Sequence, residues 1–141
     1  MFRTIMAPID LQHADRIAKA RQVAADLGKH YGAKVIYFAA TAPTPGPMGR
    51  TPQEFGEKLT ALAKKDADAF GTPIEAHTAI CHDPAAEVEE TILDTAKEMD
   101  VDLIVMSSHV PGIADHLHLL PSHGGEVAKE FKRSVMIVRL D

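Results

Sequence analysis

Val101 to Arg139 reads VDLIVMSSHVPGIADHLHLLPSHGGEVAKEFKRSVMIVR. It opens with a short apolar strand, Leu103 to Met106, and closes with another, Ser134 to Arg139. Small residues, Pro111 and Pro121, and four histidines (His109, His116, His118 and His123) lie between them. A buried strand running into small residues is where an open α/β sheet builds a ligand site, at the carboxyl ends of its strands. A helix starting near His123 would turn its first N–H groups toward an anion. The competing reading is a plain surface loop between two core strands.

The rest of the chain repeats the alternation. Thr4 to Ile9 is a short apolar strand stopped by Asp10, with Pro8 at its end because proline removes a ladder donor. Ile17, Ala20, Ala24 and Leu27 recur at helical spacing and predict a helix over 14–31, ended by Gly28 or Gly32. KVIYFAAT (34–41) is a second strand. APTPGPMGRTP (42–52) is a loop, read as a connector in preference to a lid. Phe55, Leu59 and Leu62 mark a helix from Pro52 to Phe70, and Thr51 with Glu54 fits a capping box. Ile74 to Ile80 reads as a weaker strand, in which Glu75 and His77 suggest partial exposure or an edge position. Asp83 and Pro84 start a further helix to about Met99, its acidic first turns a solvated face suited to a positive helix end. A short helix over 124–132 leads to the last strand. Five strands alternating with helices predict a parallel sheet joined by right-handed crossovers, with helices on both faces.

Composition narrows the function. The 141 residues fit one domain spanning 1–141. Fifteen Lys and Arg against 20 Asp and Glu give a net charge of −5, which offers nucleic acid little attraction. No apolar run approaches a membrane span, and MFRTIMAPID has too short an apolar run for a signal peptide. Cys81, alone, cannot form an intrachain disulfide. A soluble, cytoplasmic protein is the expectation.

RTIMAPID, KVIYFAA, HDPAAEV and VDLIVMSSH ending in SVMIVR, in that order, resemble the universal stress protein family over nearly the whole chain. The resemblance implies a Rossmann-like, nucleotide-binding α/β sheet of strand order 3-2-1-4-5. It also implies ATP as ligand, with magnesium as companion ion, and a homodimer through the last strand. ATP-binding members carry G-x-x-G, nine residues, then G-S or G-T. Here Ser107 and Val110 stand at the two glycines, and Ser108, His109, Val110 and Pro111 resemble a serine–histidine–basic–proline variant with valine for the basic residue. Pro121 and Ser122 fall at the terminal glycine and serine, and proline lacks the N–H that would bind a phosphate oxygen. Asp10, after Pro8 and Ile9, matches the family's aspartate near adenine and ribose. Ala40 matches a small residue under the base, and Met106 the residue before the first glycine. The resemblance thus implies a site of Pro8, Ile9, Asp10, Ala40, Met106, Ser107, His109, Pro111, Pro121, Ser122 and His123.

No Walker loop or G-x-G-x-x-G fingerprint occurs, and no residue is assigned as catalytic. The loop histidines read as surface residues, not metal ligands, because their spacing matches no standard zinc pattern. From Ser107 to Ala128 there is no Lys or Arg, so His109 or His123 and backbone N–H groups would have to meet a phosphate. The reading is a small adenine-nucleotide-binding stress-response or regulatory protein, not an independent enzyme. Two alternatives stay open: a regulatory or interaction subunit of the same fold that no longer binds nucleotide, and a histidine-loop metal binder.

Overall fold

The computed structural model describes residues 1–108 and 123–139. In order these form β1 (Thr4–Pro8), a 3-10 segment (Leu11–Ile17), α1 (Ala18–Tyr31), β2 (Lys34–Thr41), α2 (Pro52–Phe70), β3 (Ile74–Ile80), α3 (Pro84–Glu98), β4 (Leu103–Ser107), α4 (His123–Glu130) and β5 (Ser134–Val138). The strands make one sheet of order β3-β2-β1-β4-β5, and every pairing is parallel. This is the predicted order, and β3 is an edge strand, as Glu75 and His77 suggest.

Both faces of the sheet are covered, which is why its inner strands read as continuous apolar runs. Successive residues point to opposite faces. Ile5, Ala7, Val35, Tyr37, Leu103 and Val105 pack with Ala20 and Ala24 of α1 and with Phe55, Leu59 and Ala63 of α2. Met6, Phe38, Ile104 and Met106 pack with Ile92 and Ala96 of α3 and with Val127 of α4. A fully buried Ile, Leu or Phe contributes roughly 1.5–3 kcal/mol, so each layer holds its helices firmly.

The caps follow the chemistry expected of them. Thr51 Oγ1 accepts from the Glu54 N–H (3.1 Å), and Asp83 Oδ1 from the Ala86 N–H (3.3 Å). The Glu54 carboxylate reaches back to the Arg50 N–H (3.4 Å), not to that of Thr51. Gly32, at φ 64°, ends α1, as Gly71, at φ 71°, ends α2. Gly28 lies inside α1 for another reason: a Cβ there would collide with Val35 Cγ2, so the glycine lets helix and strand approach. The connector over 42–52 folds back on itself through an antiparallel bridge between Gly46 and Gly49, and Met48 packs against the core.

The helix predicted from Ala14 begins four residues later. His13 takes φ −120°, ψ 33°, outside the helical region, and Leu11–Ile17 forms a kinked 3-10 segment. Local side-chain bonds compete with the helix here. His13 Nδ1 bonds Asp10 Oδ2 (2.7 Å), and Arg21 Nε donates to the Ala14 carbonyl (3.2 Å). Arg21 also extends into the core, where its Nη1 bonds Asp66 Oδ2 of α2, and the Tyr37 hydroxyl donates to that same oxygen (2.6 Å). Arg21 and Asp66 are 6% and 3% exposed, so this charge pair is truly internal.

Candidate functional site at the carboxyl end of the sheet

The order of the sheet reverses between β1 and β4. Such a reversal opens a crevice at the carboxyl ends of the strands, because the connections leave in opposite directions. Here the two strands are tied at the other end. The Asp102 carboxylate accepts from the N–H groups of Arg3 (2.9 Å) and Thr4 (3.2 Å), and the Asp102 N–H donates to the Thr4 carbonyl (3.0 Å). Their ladder pairs Ile5 with Leu103 and Met6 with Ile104 and stops there, while β1 runs on to Pro8 and β4 to Ser107. By contrast β1 stays paired with β2 as far as Pro8 and Phe38, and β4 with β5 as far as Ser107 and Val138. The result is a slot between two well-supported strand ends.

Six of the residues expected in a site come to this end of the sheet. Ile9 is buried, its N–H donating to the Phe38 carbonyl (2.7 Å), and Met106 is buried under α3 and α4. Pro8, Asp10, Ala40 and Ser107 are partly open. The Ser107 hydroxyl is enclosed yet finds no hydrogen-bond partner among the described residues. Leaving a buried hydroxyl unsatisfied costs about 1–3 kcal/mol, so this oxygen calls for a polar partner.

Asp10 occupies the position before a helical segment where an aspartate commonly caps, but its side chain caps no backbone N–H. It is held by His13, and both side chains are about a quarter exposed, at 27% and 23%. His13 was not among the expected site residues. The spacing Asp-x-x-His was the available signal, obscured by the helix predicted across it. His109, Pro111, Pro121 and Ser122, with the loop residues Val110, His116 and His118, lie outside the described residues, as does the side chain of His123. Elsewhere, burial pushes the Cys81 thiol up from its ordinary value and the Glu87 carboxylate adds to that, so this thiol is no activated nucleophile. Among the described residues no group of three or more His, Cys, Asp or Glu is placed to hold a metal, and no helix is long and apolar enough to cross a membrane.

A five-stranded parallel sheet with helices on both faces and a slot at its switch point defines a Rossmann-like α/β protein. The chain matches the model of the universal stress protein family over residues 1–139, and it belongs to that family. A universal stress protein solved in complex with cAMP superposes at a TM-score of 0.74 with 24% identity, covering 99% of this chain and 98% of that one. The Archaeoglobus fulgidus universal stress protein in complex with dAMP gives 0.65 and 21%, over 96% and 97% of the two chains. An Arabidopsis thaliana member of the family with AMP bound gives 0.67 and 12%, over 99% and 92%. All three share this fold.

Proposed function

We propose that this chain is a regulatory stress-response protein that binds an adenine nucleotide in the slot between β1 and β4 and acts through occupancy, without chemistry of its own. The observation that carries this is the enclosed Ser107 hydroxyl at the end of β4, which has no hydrogen-bond partner among the described residues. A phosphate or ribose oxygen would accept its proton. Asp10 supplies an acceptor across the slot, and Ala40, at the end of β2, leaves room for a flat ring. The ligands of the three solved relatives, cAMP, dAMP and AMP, support adenine as the base. ATP belongs to the same class, and magnesium would arrive with the triphosphate. The reading includes a cytoplasmic homodimer joined through β5.

A nucleotide-free regulatory protein of the same fold is the competing reading. Pro121, which has no N–H to offer a phosphate, favours it. Mass spectrometry under native conditions, with calorimetry against AMP, cAMP and magnesium–ATP, separates the two. One nucleotide per chain is expected. Ser107→Ala should weaken the nucleotide while raising the melting temperature of the ligand-free protein, because an unsatisfied buried hydroxyl is removed. A bare mass and no heat with any of the three ligands overturns the proposal in favour of the competing reading.

A further inference from the structure

We infer that His13 is a positioning residue of the nucleotide site, acting through Asp10; this rests on the function proposed above. A carboxylate only accepts hydrogen bonds, so the 2.7 Å contact between His13 Nδ1 and Asp10 Oδ2 puts the ring proton on Nδ1. One oxygen of Asp10 is thereby occupied. Among the described residues the other has no partner, and it remains the acceptor for an N–H or O–H of the ligand. Without His13 the carboxylate would have a backbone alternative: a residue in this position ordinarily turns back to cap the helix behind it. The chain removes that alternative. At φ −120° His13 breaks the helical run, so the first turn behind Asp10 is a 3-10 segment whose N–H groups receive no cap from its side chain. The His13 N–H donates to the Asp10 carbonyl (3.0 Å), closing a tight local loop that holds the two side chains together.

The segment is fastened from behind as well. Arg21 Nε donates to the Ala14 carbonyl, one residue beyond His13, and the same guanidinium is fixed in the core by Asp66. The kink at His13 is therefore supported from the interior of the molecule. Ordering an acceptor before the ligand arrives lowers the entropy lost on binding. In this geometry His13 does for Asp10 what an outer-shell hydrogen bond does for any binding carboxylate.

The test uses AMP and the full chain, by calorimetry, on the native protein, His13→Ala, His13→Asn, Asp10→Asn and the double variant His13→Ala/Asp10→Asn. His13→Ala should weaken AMP about tenfold, the loss of an ordered charge-assisted acceptor. His13→Asn, whose amide can donate from nearly the place of Nδ1, should recover most of that loss. In the Asp10→Asn background His13→Ala should cost less than about twofold, because the two residues act as a unit. Equal losses in both backgrounds overturn the inference, as does native affinity in His13→Ala; either result leaves nucleotide binding itself standing. A native protein that takes no AMP overturns both. Should a variant fail to fold, nitrogen shifts of the His13 ring in the native protein decide the contact: a proton on Nδ1 supports it, and a neutral ring protonated on Nε2 overturns it.

Discussion

At the scale of single residues, the environment of a side chain decides what its chemistry is for. Asp10 keeps a quarter of its surface in solvent and spends one oxygen on His13, so it stays an available acceptor. Asp10→Ala should leave the fold intact and cost on the order of 1.5–3 kcal/mol of nucleotide affinity, the worth of a hydrogen bond to a charged group. Unchanged calorimetric affinity in a folded variant would remove Asp10 from the site. Tyr37 is the opposite case, wholly buried and donating to Asp66. Burial raises its pKa far above the ordinary phenol value, and the bond to Asp66 raises it further. The folded state thus keeps a proton that the unfolded chain releases near pH 10. Stability carried by that proton is complete below about pH 10 and falls as pH rises beyond it, by up to about tenfold in the folding equilibrium per pH unit. Denaturant midpoints measured from pH 9 upward should show this fall. In Tyr37→Phe the fall should be shallower, and an identical slope would mean that other groups cause it.

At the scale of elements, the same network joins α1 to α2 across 45 residues of chain. Asp66→Ala would leave the Arg21 guanidinium buried without its partner, so urea unfolding should lose about 3–5 kcal/mol. Replacing the pair together, Arg21→Met with Asp66→Leu, should retain more stability than the single change. If the two variants lose the same amount, the cost belongs to the lost packing of Asp66 and not to a stranded charge. The network also marks where reading the sequence stops short. Amphipathic periodicity makes α1, α2 and α3 legible because their buried faces recur every three or four residues. Arg21 falls four residues after Ile17, and Asp66 four after Leu62, both on inward stripes. Opposite charges on two inward stripes were the available signal, but their meeting depends on tertiary packing that no local pattern carries. The site divides likewise. Asp10 and Ser107 are legible in the sequence as strand-end residues, and only the family resemblance suggests a site for them. His13 is hidden, since its bonds to Asp10 override the helical propensity of the residues around it.

At the scale of the whole molecule, an open sheet has two edges, and the two here differ in chemistry. β3 carries Glu75 and His77, and a charge on an edge strand discourages pairing with another sheet. From Ser134 to Val138 β5 has no charged side chain, and Met136 remains 39% exposed beside half-buried Val135 and Ile137. Among the described residues only β4 pairs with it. We propose that this apolar edge pairs with a second copy of itself about a two-fold axis, where each residue would meet its own symmetry-related region. Val135 and Ile137 also pack against the core under α3 and α4, so charging either would damage the fold as well as the edge. Met136 is the cleaner probe. In Met136→Lys two like charges would be brought together in one interface, while each subunit loses little internal packing. Sedimentation at micromolar concentration should therefore show a dimer for the native chain and a shift toward monomer for the variant. A variant with native helix content and a nearly native melting temperature at low concentration would confirm that the interface alone was struck. A native chain that sediments as a monomer would refute pairing through β5, whatever the variant does.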